Sequence, residues 1–137
     1  MGCDIHPYLA RRTGEGKLEP FICNALDLGR SYVMFGLMAG VRGDVCLFEP
    51  RGLPEDIPST YKFDYDRDDE VHSASWLTTA EVRAVADAFP DAVEQRTGEP
   101  FMYVYLAALV GMMEAVDRWA DTHDPGGGAI LIFWFDS

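Results

Sequence analysis

The chain has 137 residues, 48% of them hydrophobic and 12% aromatic, which suits one domain with a modest core and excludes a disordered chain. Its net charge of −12 sits in one part: residues 1–54 carry six Lys/Arg and six Asp/Glu, whereas residues 55–137 carry five and seventeen. Such a one-sided negative field repels nucleic acid and anionic membrane and attracts a basic protein groove.

Asp4 and His6 interrupt the N-terminus before an apolar run develops, so no leader is expected. Position 6 is also not the Ser or Thr of a myristoylation signal. The longest uncharged run, Pro100 to Met113, is shorter than the ~20 residues of a membrane span. Cys3, Cys23 and Cys46 are widely spaced without a CxxC, which predicts reduced thiols and a cytoplasmic location.

In chain order, residues 3–10 alternate, with Cys3, Ile5, Pro7 and Leu9 on one face and Asp4, His6 and Tyr8 on the other. This predicts a half-buried strand, which Pro7 places at an edge or an irregular end. Residues 13–16 read as a turn, and Lys17 to Asn24 returns as the second strand of a hairpin. Ser31 to Val41 spaces Tyr32, Phe35, Met38 and Ala39 as a short buried helix, weakened by Gly36 and closed at Gly40 or Gly43. Residues 44–75 are rich in proline and acids with little period, and read as one long irregular segment. Thr78 and Glu81 form a capping box for a helix with the stripe Val82, Val85, Ala86 and Phe89, stopped by Pro90. A longer helix from about Phe101 to Thr122 is apolar all round at first, so Tyr103, Leu106, Val110 and Met113 are predicted core. The glycines 126–128 read as a connector, and Ala129 to Phe135 as a strand interior to the sheet. The expected fold is α+β, one domain over 1–137. A small, mainly antiparallel sheet, made from the N-terminal hairpin and the C-terminal strand, packs against the long helix and shorter helices.

The segments MGCDIHPYL, GRSYVMFGLMAGVRG, EPRGLPEDIP, HSASWLT and ILIFWFD, in this order along the chain, resemble small phage and prophage proteins. That resemblance implies a protein made inside a bacterial cell from mobile-element DNA. It brings no catalytic residues with it.

Two constellations compete for the function. The run Asp64 to Glu70 begins like a calcium loop, but Asp69 stands where glycine is required and Ser75 where glutamate is, which excludes an EF-hand. With Glu55, Asp56 and the aromatics Tyr61, Phe63 and Tyr65, these carboxylates can imitate a phosphate backbone. The partner-binding set is then Glu55, Asp56, Asp64, Asp66, Asp68, Asp69 and Glu70. It would dock on a host protein's basic nucleic-acid-binding surface, with neither nucleic acid nor membrane bound directly. The function expected is an anti-CRISPR-like inhibitor of a defence or nucleic-acid-processing complex. The plainer alternative is a solvated acidic loop.

The second constellation is a small enzyme or ligand-binding domain with a pocket of Asp4, His6, Arg30, Arg51, His72 and Trp76. Asp4 and His6 share a strand face and, joined by His72, suit a metal-dependent hydrolase or an acid–base pair. Cys3 points to the opposite face and cannot join them. Arg30 and Arg51 suit an anion clamp for a signalling nucleotide stacked on Trp76 or Tyr32, whereas Arg42 reads as a cation at a helix C-terminus. A Ser–His hydrolase built on His72, Ser73, Ser75 and Asp69 lacks the G-x-S-x-G elbow. The plainer alternative leaves Asp4 and His6 on a solvated face. No cofactor, catalytic residue or metal ligand is assigned from sequence.

Overall fold

The computed structural model describes residues 2–22, 26–94 and 100–137. The alternating first segment forms β1 (Asp4–Arg12), which turns into β2 (Leu18–Ile22) with the Thr13 N–H donating to the Lys17 carbonyl at 2.7 Å. With β3 (Val71–Thr78) and β4 (Gly128–Asp136) they make an antiparallel sheet of order β2-β1-β4-β3. Helices α1 (Tyr32–Ala39), α3 (Thr79–Glu94) and α4 (Tyr103–His123) pack on one face of it. Helix α2 (Ser59–Asp66) packs on the other through Tyr61. The fold is α+β.

Coverage of both faces explains why β4 is apolar throughout. Leu131, Phe133 and Phe135 enter the main core, while Ile132 and Trp134 join Tyr8, Ala10 and Leu18 beneath α2. Local signals set the helix ends. The Met34 N–H donates to Ser31 Oγ at 3.3 Å, and Gly40 closes α1 at φ 70°. The Thr78 N–H donates to Glu81 Oε1 at 3.0 Å, and the Glu81 N–H returns to Thr78 Oγ1 at 3.4 Å.

The structure corrects several sequence-based expectations. Segment 44–75 is not irregular throughout: it holds α2 and most of β3, the strand that continues through Trp76 to Thr78. The period of β3 is hidden by a register shift between His72 and Ser75, where Ser73 has φ 55°. Pro90 does not stop α3, which continues to Glu94. Its ring is exposed, so the helix continues past it at the cost of the bond to the Ala86 carbonyl. Strand β1 is interior, yet Pro7 fits because β2 pairs only from Leu9 onward, and the Pro7 carbonyl instead accepts from the Leu26 N–H at 2.9 Å. Tyr103 is exposed rather than core, because α4 buries only the face of Leu106, Leu109, Val110, Met113, Val116 and Ala120. Arg42 follows the Gly40 cap of α1 by two residues, and its guanidinium lies over the Tyr32 ring, 5.6 Å from the centroid. Cys23 and the expected strand end at Asn24 lie outside the described residues.

Candidate functional site

The α2-covered face of the sheet carries the densest polar arrangement. Tyr8 on β1 and Trp134 on β4 stack with centroids 4.7 Å apart, and Tyr65 of α2 meets Trp134 edge-on at 5.3 Å. At the open end of this aromatic layer His6 Nε2 lies 2.7 Å from Asp136 Oδ2. The turn after α2 brings Asp68 to the same place. A cleft of about 470 Å³ lies here, lined by His6, Tyr8, Asp64, Arg67, Asp68 and Trp134. The Tyr8 hydroxyl donates to Asp64 at 2.9 Å, and Arg67 donates to the other oxygen of that carboxylate at 3.0 Å. Burial raises the Tyr8 pKa first, and the bond to the Asp64 carboxylate raises it further, so this hydroxyl stays a donor.

The acidic set clusters on α2 and its flanks but is not a row of free charges. Arg12 pairs with Asp56 at 2.6 Å, Lys62 with Asp66 at 2.6 Å, and Arg67 with Asp64 at 3.0 Å. Asp68 accepts from the Glu70 N–H at 2.9 Å. Among the described residues no ion pair reaches Glu55, Asp69 or Glu70. Phe63 lies in the middle of this segment, 62% exposed.

The six residues of the alternative pocket do not share one site, although two pairs among them meet. Asp4 pairs with Arg30 at 2.8 Å. Arg51 lies 4.6 Å over the Trp76 ring and grips Glu81 through both guanidinium nitrogens, so neither the arginine nor that ring face is open to a nucleotide. His72 stands opposite Phe135 in the register and stacks on it, which puts it on the face covered by α1, α3 and α4, away from His6. Its ring nitrogens lie 3.0 Å from Ser73 Oγ and 3.1 Å from Ser137 Oγ. No carboxylate orients it among these bonds, and Ser75 is buried, accepting from the Arg51 N–H at 3.0 Å.

Sequence reasoning found His6 but missed Asp136, its partner. The two meet because β1 and β4 pair antiparallel, with His6 opposite Trp134 and Asp4 opposite Asp136. The available signal was parity: Asp136 is two residues beyond Trp134 on a strand buried on both faces. No protein-family model, curated protein or solved structure matches the chain, so the site is interpreted from its own geometry.

Proposed function

We propose that the chain is an acidic binding protein that docks on the basic nucleic-acid-binding surface of a bacterial protein and blocks it. In this reading it is a mobile-element-encoded, anti-CRISPR-like inhibitor of a defence or nucleic-acid-processing complex. The observation that carries the reading is segment 55–70, a charged surface with an exposed aromatic ring in its midst. Among the described residues its seven carboxylates pair only with Lys62, Arg67 and, from β1, Arg12, which leaves four negative charges uncompensated there. An uncompensated patch steers a basic partner, while a ring such as Phe63 supplies an apolar anchor. The pairs within the patch are solvent-exposed and worth about 0–1 kcal/mol each, so a partner's lysines and arginines can replace them at little cost. No helix among the described residues is long and apolar enough to cross a membrane, in keeping with a protein partner. The resemblance to phage proteins supplies the setting.

The test is capture from a bacterial lysate at low salt and at roughly 0.5 M salt, where the Debye length shortens several-fold relative to dilute buffer. The expected outcome is a retained nucleic-acid-binding protein that is released by salt and by competing duplex DNA. It should be lost in the variant Asp66→Asn/Asp69→Asn/Glu70→Gln. Retention indifferent to salt, DNA and these substitutions rejects the reading.

A further inference from the structure

The cluster at the mouth of the cleft has a chemistry that docking does not use. His6 Nε2, one oxygen of Asp68 and one of Asp136 all lie within 4.8 Å of one another, each on a half-buried residue. Metal–ligand bonds of about 2.0–2.2 Å set neighbouring ligand atoms roughly 3–4 Å apart, so small side-chain rotations complete the set. Two of the three ligands come from paired strands, β1 and β4, whose register sets them diagonally across on one face of the sheet. The His6 ring is further held against Trp134, with centroids 6.4 Å apart. Asp68 keeps one oxygen on the Glu70 N–H, at 2.9 Å, and has the other to offer.

The neighbouring charges leave the cluster negative. Arg67 is the nearest base in the cleft lining, but it is bonded to Asp64 and lies over Phe63, 5.1 Å from the ring centroid. Asp64 is occupied in turn by Tyr8 and Arg67 and is not a ligand. A cation between Asp68 and Asp136 offsets the repulsion of carboxylates held this close.

We propose that His6, Asp68 and Asp136 form a binding site for one first-row divalent cation of the manganese or zinc class. One imidazole with two carboxylates is the mixed nitrogen–oxygen donor set that such ions accept. Three protein ligands leave positions facing the cleft, where water completes the coordination. The site shares Asp68 with the acidic surface but does not rest on the docking reading, since ion binding by the isolated chain is measured without any protein partner.

The test is calorimetric titration of the full chain, freed of adventitious ions, with Mn²⁺ and with Zn²⁺ alone. The expected result is one ion per chain for at least one of them. His6→Ala and Asp68→Asn should each weaken it by more than about tenfold, while Asp87→Asn and His123→Ala leave it unchanged. Circular dichroism establishes that each variant folds. Asp68 lies on the turn after α2, so its variant reads the site even if His6→Ala does not fold. Absence of saturable binding by either ion, or full affinity retained in Asp68→Asn, overturns the proposal.

Discussion

The hydroxyl of Tyr61 donates to the backbone carbonyl of Leu9 at 2.5 Å and accepts from the Phe21 N–H at 3.3 Å. It stands where the register between β1 and β2 shifts, after Leu9, and takes the place of a bond the ladder cannot make. The same fully buried ring holds α2, and with it the acidic segment, onto the sheet. Tyr61→Phe should keep the packing but strand a buried carbonyl, costing about 1–3 kcal/mol. A lower urea midpoint at unchanged m-value is the expected measurement; an unchanged midpoint assigns the hydroxyl no role.

Glu81 predicts how stability responds to acid. The bond from Arg51 is the main force holding its pKa down to about 2 from an ordinary 4.5, against burial and with help from Thr78. A carboxylate depressed in the folded state contributes stability that is full above its unfolded pKa. That contribution fades as pH falls from about 4.5 towards 2, and amounts to roughly 3 kcal/mol. Glu81→Gln should be less stable than the parent at neutral pH, with the gap narrowing across this window. Parallel stability curves for the two proteins would contradict it.

Helix propensity alone favours Gly36→Ala by about 1 kcal/mol. The structure reverses the sign. A Cβ on Gly36 would stand 2.6 Å from Gly43 Cα and 3.0 Å from the Val45 carbonyl oxygen. Those are backbone atoms that move only with the whole 43–45 strand of chain, so the substitution should destabilise by about 1–3 kcal/mol. Thermal unfolding distinguishes the outcomes, and a raised midpoint means the helix, not the contact, decides.

Phe63 separates binding from folding. Its ring is 62% exposed, so Phe63→Ala should change unfolding free energy by no more than about 0.5 kcal/mol. If the ring anchors a partner on the acidic surface, the same change should weaken that complex tenfold or more, about 1.4 kcal/mol. Equal affinity of parent and variant for the captured partner removes Phe63 from the interface.

Local patterns were legible in the sequence wherever one residue's environment is set by near neighbours. The hairpin, the Thr78 capping box, a glycine stop at Gly40 or Gly43 and the doubly apolar β4 all belong to this class. Segment 59–75 was not legible, because its helix is short and polar with one buried residue, Tyr61, and its strand is interrupted by a bulge. The candidate site was legible by halves. His6 and the acids of segment 64–70 stood out by type, while Asp136 acquired meaning only through cross-strand register.

By itself the sequence determined the α+β composition, the helix caps and the concentration of negative charge, since periodicity, capping and net charge are properties of short segments. Only tertiary structure decided which charged groups meet. It turned Arg51 onto Glu81, placed His72 across the sheet from His6, and set Asp136 beside His6 from the far end of the chain. Strand order and register fix such encounters, and they arise from packing two faces of one sheet at once, which no local stretch of residues specifies.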